Sequence, residues 1–395
     1  MLEWLTSADR CPASDVLVLE TCPVCGHAER TAVCPFNRFA LFEDPPDDRA
    51  PIYDYALCHA CGAVYATRRP AGARYKWLFD RFEATLGRDD PDEDRDGPAK
   101  LALSSRRLTP EGRERLRGLA SRGVFVSDHL GLKRREYLPA LFSDRAANSI
   151  HVDIIGSLVP MHEPRVLEIR SRLGTIPAAL SRLYGAQSFA IAIFESQQFL
   201  IEEVYGIPTA CPIDFDRFRI PFDGPFDLII ANHLMTHAIR PAELLAEVRS
   251  HLRPGGHLYL YNEMDEGEFL SRSKSMFNSF NAFHFQTFDA PSLVRMLGSQ
   301  GFATEFITIH DGTCVCLARM HDPPGDWKAM TERERETRVH AYRNAYDVAV
   351  LKMPEHARWR VGQEWAAVQQ RAIDAGIATL TKHGQVKLLG KQVSS

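Results

Sequence analysis

Four cysteines arrive in two matched knuckles, Cys22-Pro23-Val24-Cys25-Gly26 and Cys58-His59-Ala60-Cys61-Gly62. A CxxC pair can set both thiolates on one tetrahedral metal ion, and the glycine that follows relieves the tight turn. Two such pairs give a closed shell of four thiolates, so Cys22, Cys25, Cys58 and Cys61 read as the ligands of a structural zinc. A redox reading explains one knuckle and leaves its duplicate unexplained. Cys34, His27 and His59 have the chemistry to substitute and are read as bystanders. A ribbon this small has little core of its own, so the metal supplies much of its folding energy.

The elements around the knuckles follow from pattern. Tyr53-Asp54-Tyr55-Ala56-Leu57 alternates like a strand entering the second knuckle, and Val64 to Thr67 like the strand leaving it. This zinc-ribbon module is assigned to residues 15–83. Tyr75, Trp77, Leu78, Phe79 and Phe82 start an aromatic helix that packs on the next unit or walls a pocket beside it. Residues 84–158 read as a linker and helical segment. Gly87 to Ala99 is acidic and punctuated by Pro91, Gly97 and Pro98. Thr109-Pro110-Glu111 is a helix start, with threonine as cap and proline at the first turn.

From Arg165 short apolar runs alternate with helical stretches. Val166–Ile169, Phe189–Phe194, Pro208–Pro212, Asp227–Asn232 and His257–Tyr261 read as strands. Thr304–His310 and Thr313–Ala318 read as a closing hairpin. Such alternation predicts an α/β fold: a largely parallel sheet covered on both faces, with one late antiparallel strand. Ligands on such sheets sit beyond the carboxyl ends of the strands, where strand order reverses.

Several blocks then fall into a known order. They are Val166-Leu167-Glu168-Ile169 with a loop ending in Gly174, an acid after the second strand, Phe226 to Asn232, and Leu252-Arg253-Pro254-Gly255-Gly256-His257-Leu258. Together they resemble a class I S-adenosylmethionine-dependent methyltransferase. The zinc ribbon ahead of them is similar to the amino-terminal module of the sugar C-methyltransferase subgroup. The resemblance, which covers about Cys22 to Arg319, implies a Rossmann-like class I methyltransferase sheet over residues 159–322 and a small zinc ribbon before it, while residues 323–395 match no family and read from their own pattern as a helical extension. It implies S-adenosylmethionine as cofactor. By position, Glu168, Arg170, Arg172 and Gly174 belong to the first cofactor loop. Glu195 takes the ribose hydroxyls, Asp214 and Phe215 border the adenine, and Asn232 and His233 lie by the methionine moiety.

The loop departs from the family's E-x-G-x-G-x-G, because Arg170 and Arg172 stand where the first two glycines belong. Arginine adds a long side chain and narrows the allowed backbone. Three outcomes stay open. An arginine pairs with the cofactor carboxylate or an anionic substrate; the pocket has changed ligand or chemistry; or the site is filled and the protein is a non-catalytic binding relative or scaffold. For transfer itself, candidate bases follow the fourth and fifth strands: His284 first, then His237 and Tyr261, with Glu263 nearby. Met264 to Phe280 reads as a lid or acceptor wall. The expected acceptor is a carbon or oxygen of a small molecule, a sugar or natural-product intermediate.

Composition bounds the rest. The chain has 395 residues, 45% of them hydrophobic, with a formal net charge of -4. That length suggests two or three domains. The charge argues against a nucleic-acid or membrane-surface binder. No apolar run is long enough for a span, and Met1-Leu2-Glu3-Trp4 has no secretory pattern, so a cytoplasmic protein is expected. Nine cysteines including two CxxC pairs suit a reducing compartment. The charged C-terminal helices suggest a cap on the domain or a homodimer contact.

Overall fold

A computed structural model describes residues 16–37, 52–73, 75–76, 109–111, 113–114, 149–171, 174–264, 284–310, 313–321, 327–351, 364–376, 378–380 and 386–388. Arg172, most of the aromatic helix start, the acidic linker and nearly all of the expected lid lie outside the described residues.

At the amino end, β1 (Val16–Val18) pairs antiparallel with β5 (Arg68–Pro70). Between them β2 (Arg30–Asn37), β3 (Ile52–Cys58) and β4 (Val64–Ala66) form an antiparallel meander. Its fourth strand comes from far along the chain: β11 (Gln286–Thr287) pairs with Tyr65 and Val64 of β4. The knuckles sit at the ends of these strands.

The central sheet has seven strands, β6 (Arg165–Ser171), β7 (Gln187–Ala192), β8 (Thr209–Ala210), β9 (Phe226–Asn232), β10 (Leu252–Met264), β12 (Phe302–His310) and β13 (Thr313–Met320). Their order is β12-β13-β10-β9-β6-β7-β8. The middle strands pair in parallel, while β13 runs antiparallel to both β10 and β12. Order reverses between β6 and β9. This is the α/β sheet with a late antiparallel strand that the pattern predicted.

Both faces are buried, which is why the strands read as near-continuous apolar runs. Val166, Leu228, Ile230, Tyr259 and Leu317 face α1 (Ser149–Leu158) and α2 (Thr175–Tyr184). Leu167, Ile169, Ile229, Ala231 and Leu258 share the opposite core with α4 (Pro241–His251) and α5 (Ala290–Ser299), after α3 (Glu195–Tyr205) has crossed from β7 to β8. Cys22, Val24, Cys58 and Cys61 belong to that same core, so the knuckles are packed into the larger unit. At the far end of the sheet Asp227 ties three strand starts together. It accepts from Arg165 N at 2.6 Å and pairs with Arg253 at 2.7 Å.

The carboxyl-terminal α6 (Glu332–Leu351) packs on the amino-terminal sheet. Tyr342, Ala345 and Tyr346 join Tyr55, Leu57 and Val64 in one core. Beyond α7 (Glu364–Asp374) the extension is not wholly helical: β14 (Ala378–Leu380) and β15 (Val386–Leu388) pair antiparallel. Ala-Thr-Leu and Val-Lys-Leu are each a single apolar–polar–apolar alternation, too short to stand out by period. The second strand also ends at Ala192 rather than Phe194, because Phe194 is already the cap of α3.

Candidate active site and metal centre

The four knuckle thiols converge as their spacing required. Cys22 and Cys61 Sγ are 3.7 Å apart, Cys25 and Cys58 3.6 Å, and all four sulfurs lie within 4.8 Å of one another. Each knuckle closes with a backbone bond, Gly26 N to Cys22 O at 2.9 Å and Gly62 N to Cys58 O at 3.1 Å. Both glycines are left-handed, at φ +76° and +81°. Gly62 has a second reason to lack a side chain: a Cβ there would stand 2.5 Å from Arg338 Nη1. The second knuckle is pinned by α6, through Arg338 to the Gly62 carbonyl, and by the segment just before it, through Met330 N to Ala60 O at 2.7 Å. His59 bonds Thr31 at 2.8 Å and stays outside the thiol cluster.

The second centre lies beyond the carboxyl ends of β6, β9 and β10. Glu168, on β6, is buried. Its carboxylate accepts from Tyr261 Oη at 2.8 Å and from Ser171 Oγ, and Ser171 Oγ in turn accepts from Gly174 N at 3.2 Å. Burial pushes the Glu168 carboxyl above its ordinary range, while the two hydroxyl donors oppose that shift. Glu168 thus orders the loop. Tyr261, expected among the bases, is 4% exposed and spends its proton on Glu168.

Arg170 keeps a left-handed backbone, φ +60°, in the first glycine position. For an L-residue that costs about 1–2 kcal/mol. Its guanidinium is buried and reaches across the switch point to the ends of β9, donating to Asn232 O at 3.3 Å and His233 O at 3.1 Å. Gly174 opens α2 at φ +65°, where a Cβ would crowd Ile201 at 2.9 Å.

The remaining expected positions fall as follows. Glu195 is the half-buried first residue of α3. Asp214 caps a turn, accepting from Asp216 N at 2.8 Å and Arg217 N at 3.0 Å. Phe215 is buried in the core with its ring 5.7 Å from His237. Asn232 accepts from Asn262 Nδ2 at 3.0 Å.

Three histidines meet here. Ring centroids are 4.7 Å apart for His233–His237, 5.0 Å for His233–His284 and 4.9 Å for His237–His284, all edge to face. His233 and His284 are buried and His237 half-buried. His233 and His237 ride on the turn after β9, which includes a short 3-10 segment, Met235–His237. Glu263 builds that turn. Its carboxylate accepts from Leu234 N at 2.6 Å, Met235 N at 2.8 Å, and Thr236 N and Oγ1 at 3.3 and 3.0 Å. A bulge in β10, with Asn262 at φ +58°, swings Glu263 into place. Burial raises its pKa, against those four donors. So engaged, it has no lone pair to spare as a general base.

His284 is delivered by the amino-terminal sheet. Tyr55 Oη donates to His284 O at 3.0 Å, Ala66 N to Phe285 O at 2.8 Å, and Phe285 N to Thr236 O at 2.8 Å. Arg69 locks this junction. Wholly buried, it donates to Ile239 O at 2.8 Å, Gln286 Oε1 at 3.0 Å, Ala66 O at 3.2 Å, Ala238 O at 3.3 Å and Phe285 O at 3.4 Å. Gln286 Nε2 returns a bond to Ala238 O at 2.8 Å. Neither Arg69 nor Gln286 carried a sequence signal: Arg68-Arg69-Pro70 reads like solvated surface.

Known proteins bear on the central unit. Residues 135–305 match a family described as methyltransferase domain. A ubiquinone biosynthesis O-methyltransferase from Xylella fastidiosa is 27% identical over 121 residues, 29% of this chain and 48% of that protein. An uncharacterized 37.1 kDa protein in transposon TN4556 of Streptomyces fradiae is 26% identical over 217 residues, 53% of this chain and 61% of that one. The chain therefore spans about half to three-fifths of these curated relatives' length. An S-adenosylmethionine-dependent methyltransferase from Mesorhizobium loti is a structural neighbour at 16% identity and TM-score 0.37, covering 45% of this chain and 99% of that one. The stretch that matches the methyltransferase-domain family, residues 135–305, contains the parallel strands β6 to β10 of the central sheet.

Proposed function

We propose that the protein is an S-adenosylmethionine-dependent methyltransferase acting on carbon or oxygen of a small molecule, a sugar or natural-product intermediate. The observation that carries the reading is the switch point between β6 and β9, where a left-handed loop residue, Gly174 and the end of β9 converge within the matched domain. The residues fit the cofactor. Arg170 holds the backbone angle of the glycine it replaces, and its guanidinium beside Asn232 and His233 suits a carboxylate by charge-assisted bonds. Glu195 would hold the ribose hydroxyls, with Phe215 toward the adenine. When bound, the cofactor supplies an electrophilic sulfonium methyl. The chain's part is to order the loop through Glu168 and Ser171, and to take the acceptor's proton at His284 or His237. The partial relative named as an O-methyltransferase supports transfer to oxygen. Four clustered thiols support a structural zinc. Nine cysteines with four of them in two CxxC pairs support a reducing, cytoplasmic setting. Among the described residues no helix is long and apolar enough to cross a membrane.

A second reading has its own observation: the Arg170 side chain lies buried over the carbonyls where a ligand would come, as a plug in a non-catalytic relative. Calorimetric titration with S-adenosylhomocysteine and S-adenosylmethionine separates the two. The wild type should bind, and Glu195→Ala and Arg170→Gly should each weaken binding by about tenfold, or 1.4 kcal/mol. A silent wild type whose Arg170→Gly variant binds would establish the plug. Silence in both would end the methyltransferase reading.

A further inference from the structure

The His233, His237 and His284 cluster is more specific than a set of general bases needs to be. From its geometry we propose a second metal site: three imidazoles that hold one divalent transition ion, with a fourth position open to water or to an oxygen of the acceptor. One imidazole nitrogen from each histidine lies within 4.8 Å of the others. Nitrogens at the corners of such a triangle stand at most about 2.8 Å from its centre, against the roughly 2.0–2.1 Å of a zinc–nitrogen bond, so closure asks under about 1 Å of each ring. Three protein ligands and an open position are the arrangement of catalytic rather than structural zinc.

The donor chemistry favours the same reading. Three imidazoles in edge-to-face contact at 4.7–5.0 Å bring their ring nitrogens together, and converging imidazoles are a donor set for a borderline cation. The carboxyl groups of Glu168 and Glu263 are buried in the same centre, and the guanidinium of Arg170 donates to the His233 carbonyl.

The scaffold is of the kind that holds ligands still. Glu263 gathers the three amides between His233 and His237, and fixes the spacing of those two rings. The third ring is fixed by Tyr55 and by the Phe285–Thr236 backbone bond. A ligand set this constrained need not be reorganised on binding. The proposed ion and the proposed base role exclude one another within a molecule. An imidazole that ligates a metal has no lone pair for a proton, and a metal-loaded site would acidify an oxygen by coordination instead.

Metal content tests the site without any assay of turnover. The purified chain is equilibrated with zinc, desalted and analysed. About two zinc ions per chain are expected, one in each cluster, with His284→Ala and His237→Asn each falling to about one. His237 is half-buried where His284 is buried, and asparagine keeps a polar side chain there, so the second variant guards against misfolding in the first. Cobalt substitution gives an independent readout. The intense thiolate-to-cobalt band should persist in both variants, while the weaker ligand-field absorption of a nitrogen–oxygen site disappears. One zinc in the wild type, or two retained in both variants, would overturn the proposal. Titration of the same preparations with S-adenosylhomocysteine keeps its failure separate from failure of the methyltransferase reading.

Discussion

The two ligand clusters of this molecule are built by opposite means. The four thiols come from two local motifs, each closed by its own backbone bond and its own left-handed glycine. The three imidazoles come from a strand-end turn and from a segment some fifty positions later, and no local rule brings them together. The first cluster organises its surroundings; the second is organised by them. Tyr55, Ala66 and Arg69 of the amino-terminal sheet all reach to the His284 segment or to the turn bearing His237. The difference teaches that the small module does more than gather four thiols. It is one wall of the centre at the switch point, and β11 is the strand by which the two are joined.

The comparison breaks first at the thiols. Cys58→Ser, or prolonged chelation, should abolish one zinc equivalent and cost on the order of 10 kcal/mol of metal-coupled folding. Loss of order should spread to the His284 segment and to α6, which packs on the same sheet. Zinc analysis with hydrogen exchange checks this; exchange confined to the knuckles would mean that the clusters are independent.

A smaller effect is expected at the joint. Arg69→Met leaves five carbonyl or amide acceptors without their cation, at a cost of about 3 kcal/mol or more in denaturant unfolding. The zinc of the four thiols should stay, since Arg69 touches none of them. A variant as stable as the wild type would show that the wall stands without its lock.

The smallest effect lies at the start of α6. Thr331 N and Oγ1 donate to Glu334 at 2.7 and 2.9 Å, and Arg295 pairs with it at 2.6 Å. The Thr331 donors, then Arg295, hold the Glu334 carboxyl down at about 2 from an ordinary 4.5. A depressed folded-state pKa means that the stabilisation is present above 4.5 and fades as pH falls toward 2. The group is largely exposed, so solvent screening keeps the effect modest. Melting temperature followed against pH in wild type and Glu334→Gln should converge in that window. Parallel curves throughout would remove Glu334 from the account of how α6 docks.

Much of this was legible along the chain. Two CxxC-Gly knuckles announce a thiol cluster because a tetrahedral site needs pairs of ligands about a turn apart. Alternating apolar runs announced the parallel sheet, and Thr313 onward its antiparallel strand. The departures have local causes. Tyr261 looked available as a base, but Glu168, buried on β6 with β9 between them, takes its hydroxyl. Glu263 looked like a base too, until the bulge at Asn262 turned it under the His233–His237 loop. A one-residue irregularity of that kind has no periodic signature.

By itself, the sequence determined the thiol donor set, the strand–helix alternation and the replacement of two loop glycines by arginine, because each is a matter of residue type at short spacing. Tertiary structure alone decided where the arginine goes. Arg170 accepts a left-handed backbone and lays its guanidinium on Asn232 at the end of β9, a partner 62 positions away. It also decided that His284 meets His233 and His237. That meeting depends on a strand added to another module's sheet and on a buried carboxylate, both of them long-range pairings whose energy no local pattern encodes.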